Sequence, residues 1–151
     1  EGVLTDEERK MLHRIFEFGD TKVKDVMITK NKIVAIDVRS TPEKLMDILV
    51  EEGHARIPLY DGSLDNVVGI IYARDLLYIL RNSRLFVLSD LIHPVYKVLP
   101  DKRVNELLRE FQIKKIQIAI IVDENNKTLG LVTLEDLIEE IVGEIEEEVK
   151  K

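Results

Sequence analysis

The sequence predicts an α/β (α+β) chain: two tandem βαββα repeats packed on each other as an intramolecular pseudo-dimer and flanked by N- and C-terminal helices. Three observations carry this. The stretch Gly130-Leu131-Val132-Thr133-Leu134-Glu135-Asp136-Leu137-Ile138 has an echo in Gly69-Ile70-Ile71-Tyr72-Ala73-Arg74-Asp75-Leu76-Leu77, with the two aspartates 61 positions apart. Local propensity does not generate a repeat of that length. Second, what precedes each glycine also repeats. A turn (Asp61-Gly62-Ser63-Leu64-Asp65-Asn66; Asp123-Glu124-Asn125-Asn126-Lys127) follows an apolar run (Ile57-Pro58-Leu59-Tyr60; Ile118-Ala119-Ile120-Ile121-Val122). Third, a unit of roughly 60 residues is small for independent stability, so two copies sharing one core are the economical solution. A cleft forms at such a junction, and clefts are where small ligands sit.

Taken in order, three segments follow: 1–22, an N-terminal helix and linker; 23–84, the first repeat; 85–151, the second repeat with its C-terminal helix. Leu4 to Phe18 reads as a helix. Thr5 with Glu8 has capping-box spacing, Asp6 and Glu7 suit the positive helix start, and Met11, Leu12, Ile15 and Phe16 form one stripe. Gly19-Asp20 ends it. Val23 to Ile28 leads into the first repeat, and Asp25-Val26-Met27-Ile28 has its counterpart in Asp90-Leu91-Ile92. Lys32 to Ile36 reads as a strand covered on both faces, since it does not alternate. Ser40-Thr41-Pro42-Glu43 opens a helix with proline just inside it, running to Glu52 and stopping at Gly53. Pro58 argues for an edge or a strand start. Val67 to Tyr72 is a strand and Asp75 to about Arg81 a helix. In the second half, Val95–Leu99, Ile118–Val122 and Leu129–Val132 are strands, Asp101–Ile113 is a helix, and Leu134 opens a long helix with Leu137, Ile138, Ile141, Val142 and Ile145 on one side. One of the two terminal helices is expected to pack on the core and the other to form a symmetric dimer contact, without the sequence saying which.

Composition narrows the function. With 45% apolar and 34% charged residues the chain is globular in character. No apolar run approaches the 18 residues or so of a membrane span, and no signal peptide opens the chain. It begins at Glu1, which suggests a piece of a longer protein. The absence of cysteine excludes disulfides and thiolate metal sites and fits a reducing compartment. A net charge of −7, with acid crowded at Glu139, Glu140, Glu144 and Glu146 to Glu148, argues against a general nucleic-acid binder. That acidic run reads as the solvated face of the last helix.

Thr133-x-x-Asp136 stands where a strand ends and a helix begins. Free N–H groups there suit a phosphate, and a carboxylate there can accept both vicinal hydroxyls of a ribose. Ser/Thr-x-x-acid is equally a plain helix cap, and both readings stand on the motif alone. Tyr72 replaces Thr133 in the first copy, so two sites, if present, are unequal. Arg56, at a strand mouth beside the cleft, is suited to phosphate charge or to a surface ion pair. His54 reads as a helix-end histidine. No enzymatic chemistry is supported: His13, His54 and His93 lack metal-ligand spacing, no glycine-rich phosphate loop follows a strand, and no carboxylates stand out as an acid–base pair.

The double pattern, from about Val23 to Gly143, resembles a pair of CBS domains (a Bateman module). Asp25-Val26-Met27, Gly53-His54-Ala55-Arg56-Ile57-Pro58-Leu59-Tyr60, and Leu131 through Ile145 resemble the CorC/cyclin M branch, often labelled hemolysin-related. The resemblance implies a regulatory module on the cytoplasmic side of a membrane, attached to a transmembrane domain that moves magnesium or other divalent cations. It also implies an adenine nucleotide (AMP, ADP or ATP, with Mg²⁺) as ligand and a homodimer as the assembly. By the family pattern Thr133 and Asp136 hold the ribose, and the adenine lies near Val34 with Thr29 at the mouth and Ala55, Ile57 and Pro58 across from it. Arg56 faces the phosphates. The sequence departs from the pattern at Thr29-Lys30, where Pro-Arg is usual, and at Ala55, where a hydroxyl is usual. It departs again at Tyr72, and Lys115-Ile116-Gln117 lacks an arginine, so the second site, on Tyr72, Asp75 and Lys115, is expected to be weak or vestigial. The competing reading is a ligand-free structural dimerisation module of the same membrane protein.

Overall fold

The protein is described from a computed structural model over residues 5–75 and 91–150. Helix α1 (Asp6–Asp20) begins at Thr5, whose hydroxyl accepts the Glu8 N–H, as the capping pattern indicates. One helical turn, α2 (Val23–Val26), leads to the short strand β1 (Ile28–Thr29) and a 3₁₀ turn at Lys30–Lys32. Strand β2 is only Ile36–Asp37. Helix α3 (Pro42–Glu52) is capped by Thr41 and stopped by Gly53 at φ 66°, a left-handed conformation that glycine adopts without strain. Strands β3 (Arg56–Asp61) and β4 (Ser63–Tyr72) form a hairpin. The second repeat gives β5 (Lys97–Val98), α4 (Val104–Lys114), β6 (Ile118–Val122), β7 (Thr128–Thr133) and α5 (Leu134–Lys150). The helix expected at Asp75–Arg81 lies, beyond Asp75, outside the described residues.

The two sheets repeat one wiring. In each, a two-residue strand runs parallel to a longer one, Ile36 beside Leu59 and Lys97 beside Ile120, and that strand pairs antiparallel with the next. The orders are β2-β3-β4 and β1-β7-β6-β5. Each sheet also takes an edge from the other repeat. Ile28 and Thr29 pair with Leu131 and Gly130, while His93 forms a bridge with Ile70. Two glycines make this possible. A Cβ on Gly130 would stand 2.4 Å from the Ile28 carbonyl oxygen, and one on Gly69 would stand 2.0 Å from Ile92 Cγ2.

The strand expected over Lys32–Ile36 is shorter than its apolar run. The ladder step before Ile36–Leu59 falls at Pro58, which has no N–H to donate. Pro58 itself lies in the middle strand of its sheet rather than at an edge. Opposite it, Ile70 turns both backbone groups to His93, so β4 asks Pro58 for no donor, and the missing N–H falls on the β2 side where the ladder stops. The strand expected at Val95–Leu99 narrows to Lys97–Val98, although Tyr96 O still accepts from Ile120 N–H.

Three apolar clusters hold the fold. Leu45, Leu49, Ile57, Leu59 and Ile71 bury α3 against one sheet. Val67, Ile70, Ile118, Ile120, Val122 and Leu131 lie between the sheets. Phe18, Val104, Leu107, Phe111 and Leu137 bring α1, α4 and α5 together on the outer face of the second sheet. All five residues of β6 are buried because one face meets the helices and the other meets the first repeat. Both terminal helices thus contribute to one core, with Leu12, Ile138 and Val142 left exposed.

Candidate nucleotide site

β7 delivers Thr133 to the start of α5, and the Leu134 N–H donates to Gln117 O, fixing the helix start against the lead into β6. The expected cap is present in both directions: Asp136 N–H donates to Thr133 Oγ1 (3.2 Å) and Thr133 N–H donates to Asp136 Oδ2 (3.0 Å). Asp136 Oδ1 accepts no hydrogen bond among the described residues. Because β1 lies across Gly130, Ile28 is brought beside Leu131, and the two form an apolar wall next to the cap.

That wall belongs to a cavity of about 150 Å³ between the repeats. Its apolar surfaces are Ile28, Ile33, Val34, Ile118 and Leu131. Its polar rim is Thr133 and Asp136 from the second repeat with Lys32, His54 and Arg56 from the first. The structure therefore brings Val34, Arg56, Thr133 and Asp136 together. Thr29 is directed elsewhere: it sits beyond Ile28 on β1, with its hydroxyl bonded to Asn31. Along β3 successive side chains alternate, so Ile57 points into the α3 cluster while Arg56 faces the cavity; Pro58 is buried and Ala55 exposed, and neither lines it.

Arg56 is only 11% exposed and is already engaged. Its two terminal nitrogens donate to both oxygens of Glu135 (2.8 and 3.0 Å), and one of them also reaches Gln117 Oε1. A fork-to-fork pair of this kind is directional as well as charged. The Arg56 guanidinium holds the Glu135 carboxyl below the usual glutamate range, against a smaller opposing effect of burial. Sequence reasoning passed over Glu135, which looks like any solvated helix glutamate; only the 79-residue leap to Arg56 gives it a role.

The first-repeat counterpart differs at each point. Tyr72 stands in Thr133's place and Asp75 in Asp136's. His93 stacks on Tyr72 (4.1 Å between ring centres, 16° between planes), and its Nε2 lies 2.9 Å from Asp75 Oδ2. Arg74 lies over the Tyr72 ring at 4.9 Å. The sheet register also revises the loop alignment. Arg56 faces Tyr72 and Ile118 faces Thr133, so Ile118, not Gln117, is Arg56's counterpart; the second hairpin is one residue shorter than the first. Lys115, at φ 55°, occupies the left-handed helix end that Gly53 holds in the first repeat. It makes no hydrogen bond or ion pair with Tyr72 or Asp75 among the described residues. The opening segments could have signalled His93: setting Asp25-Val26-Met27-Ile28 beside Asp90-Leu91-Ile92-His93 puts it opposite Ile28.

Among the described residues no three His, Asp or Glu side chains gather as a metal set, and no helix is long and apolar enough to cross a membrane.

Comparison with known proteins gives these features a context. The family model described as "CBS domain" matches residues 23–82 and 88–143. A magnesium and cobalt efflux protein CorC of Pasteurella multocida is 38% identical over 141 residues, covering 93% of this chain and 47% of the relative. The chain spans about half the length of the CorC relatives it matches. A solved CBS domain of a bacterial CNNM/CorC family Mg²⁺ transporter in complex with ATP aligns with TM-score 0.81 and 40% identity, covering 91% of this chain and 98% of that one. A CBS-domain pair with bound AMP from Klebsiella pneumoniae aligns with TM-score 0.72 and 31% identity, covering 82% and 99%.

Proposed function

From the premise that this chain belongs to the CBS domain family, as a tandem pair of the CNNM/CorC kind, we propose that it is a regulatory module that binds an adenine nucleotide between its two repeats. The observation that carries the reading is that one cavity collects Val34 and Arg56 from the first repeat and Thr133 and Asp136 from the second. The residues fit the parts of a nucleotide. Ile28, Ile33, Val34 and Leu131 offer an apolar slot for the base. Asp136 Oδ1 and the Thr133 hydroxyl suit the ribose hydroxyls. Arg56 and Lys32 supply positive charge for phosphates and His54 a ring nitrogen for a hydrogen bond, and Mg²⁺ arrives with the nucleotide rather than as a resident ion. The ATP and AMP complexes of similar CBS pairs support the ligand class.

The cavity, at about 150 Å³, is below the roughly 300–1,000 Å³ of ordinary ligand sites. Arg56 forms part of its wall while tied to Glu135. A phosphate that takes both terminal nitrogens of Arg56 replaces the Glu135 carboxylate, so such binding exchanges a contact between the repeats for a contact to the ligand. An exchange of this kind gives ligand-free and ligand-bound chains different inter-repeat ties, and a ligand shifts a conformational equilibrium only through such a difference. In the whole protein the module would sit on the cytoplasmic side of the membrane, attached to a transmembrane domain that exports magnesium or other divalent cations, and would act as a homodimer.

A second reading has its own observation. The reciprocal bonds between Thr133 and Asp136 are those of a helix cap that needs no ligand, and exposed Leu12, Ile138 and Val142 offer apolar surface for a purely structural dimerisation module. Calorimetric titration with ATP, with and without Mg²⁺, separates the two. Saturable binding of one nucleotide per chain, lost in Asp136→Ala, supports the sensor; absence of heat and of any thermal shift at millimolar nucleotide leaves the structural module.

A further inference from the structure

We propose that Tyr72 is a positioning residue for the nucleotide site: its ring, clamped by His93, is the rest on which the Arg56 guanidinium lies, and it keeps Arg56 where a phosphate can take it. The proposal rests on the nucleotide reading and adds to it a residue from outside the cavity. Arg56 and Tyr72 are direct partners across the β3–β4 hairpin, so their side chains leave the same face of the sheet. The ladder continues on both sides of the pair. Ile57 stands opposite Ile71, and the Ala73 N–H donates to Ala55 O at 2.9 Å, so the register of the pair is fixed. Arg56 Cζ lies over the Tyr72 ring, 5.9 Å from its centre, within reach of a cation–π contact. The ring is itself held. His93 stacks on it at 4.1 Å, His93 Nε2 lies 2.9 Å from Asp75 Oδ2, and the His93 backbone is bonded at both N–H and C=O to Ile70. Arg74 lies over the same ring at 4.9 Å, so turning Arg56 further toward Tyr72 brings it up to a like charge. The holds on Arg56 differ in kind. Glu135 and Gln117 occupy the N–H donors that a phosphate needs. Tyr72 takes the charge and leaves the donors free. A phosphate that displaces the carboxylate therefore leaves the ring contact in place, and a long side chain kept near its bound geometry costs less to order on binding. The tyrosine that stands in Thr133's place in the first repeat thus has a task at the nucleotide site.

The test compares wild type with Tyr72→Phe, Tyr72→Leu and a chain in which pentafluorophenylalanine is placed at position 72. The fluorinated ring keeps the shape of phenylalanine but reverses the charge of its face. ATP and adenosine are titrated into each chain by calorimetry. Tyr72→Phe binds both as wild type does. Tyr72→Leu and the fluorinated chain bind ATP about two- to fivefold more weakly and adenosine unchanged, and the ATP loss disappears when Arg56→Ala is added. Unchanged or tighter ATP binding in the fluorinated chain overturns the proposal, and so does an equal loss for ATP and adenosine. If Tyr72→Leu does not melt cooperatively, the fluorinated chain, matched in shape to Tyr72→Phe, decides. A wild-type chain that binds neither ligand defeats the nucleotide reading. The rest is then judged in the free Glu135→Ala chain by NMR of the Arg56 Nε–H group. That group stays ordered with Tyr72 or Tyr72→Phe and becomes mobile with Tyr72→Leu or the fluorinated ring; equal order in all of them overturns the proposal.

Discussion

Asp136 does two things that can be pulled apart by replacing its carboxylate in two ways. Asp136→Ala removes the acceptor of the Thr133 N–H, and loss of such a helix cap costs about 1 kcal/mol. In a chain of this size that lowers the melting temperature by roughly 2–4 °C. Asp136→Asn keeps an oxygen for the Thr133 N–H and loses only the carboxylate's attraction to the helix start, about 0.3–1 kcal/mol, so its melt falls less than that of Asp136→Ala. Nucleotide affinity responds differently. The ribose hydrogen bond to the free Asp136 Oδ1 contributes about 1.5–3 kcal/mol, so Asp136→Ala weakens binding roughly 10- to 150-fold. Asparagine exchanges a charged for a neutral hydrogen bond at a loss of about 1–2 kcal/mol, roughly 5- to 30-fold in Kd. The assay is calorimetry on ATP beside a thermal melt of the free chain. Unchanged affinity in Asp136→Asn, together with a lower melt in Asp136→Ala, would refute the ribose role and leave the residue as a cap alone.

Glu135→Gln releases Arg56 from its charged partner. Because the Glu135 side chain is 61% exposed, the gain is modest, at most about 1 kcal/mol or roughly fivefold tighter ATP binding; weaker binding would mean that Glu135 aims Arg56 at the phosphates instead of withholding it. Gly130→Ala drives a methyl to within 2.4 Å of the Ile28 carbonyl oxygen, and the displaced edge strand costs about 2–3 kcal/mol. A urea midpoint equal to wild type would show that β1 is free to move aside. At high pH, burial and the Glu110 carboxylate hold the Tyr96 hydroxyl up at about 12 against an ordinary 10.0. The unfolded chain therefore loses this proton first, and stability falls as pH rises between those values; Tyr96→Phe should remove that limb of the pH–stability curve. At low pH, burial alone would raise the Glu110 carboxyl, but the Lys102 ammonium and the Tyr96 hydroxyl outweigh it and hold it below 4.5. Stability from this group is present above 4.5 and lost as pH falls through the lower folded value, so Glu110→Gln should flatten the acid limb; an unaltered limb would assign acid unfolding to other carboxylates.

What was legible in the sequence is what depends on periodicity and local chemistry. The 61-residue echo gave the two-repeat architecture, Thr41-Pro42 and Gly53 marked the ends of α3, and Thr133-x-x-Asp136 marked a strand-to-helix corner. Strand length was less legible, because an apolar run does not reveal where its partner runs out: Ile33 and Val34 look like strand and instead line the cavity, since the ladder stops at Pro58. Alternation on β3 divides Arg56 from Ile57, a division that a one-residue shift would reverse and that no residue announces by itself. Contacts such as Arg56 with Glu135, or His93 with Tyr72, join side chains delivered by different repeats. Nothing in either partner's neighbourhood encodes them. The left-handed place held by Lys115 was hidden for another reason: the residue type usually found there is glycine, and a lysine in that conformation reads as a charge.

The exchange of sheet edges has a bearing on how the chain folds. Each repeat supplies the opening segment of the other's sheet, with Ile28 on β7 and His93 on β4. The chain is thus buckled twice, each clasp closing only when both halves are in hand. Neither repeat can finish its own sheet first. Pairing residues some hundred positions apart, as Ile28 does with Leu131, is entropically slow. The expectation is a single cooperative transition in place of two, and two separated halves that recover native hydrogen-exchange protection on mixing but not alone.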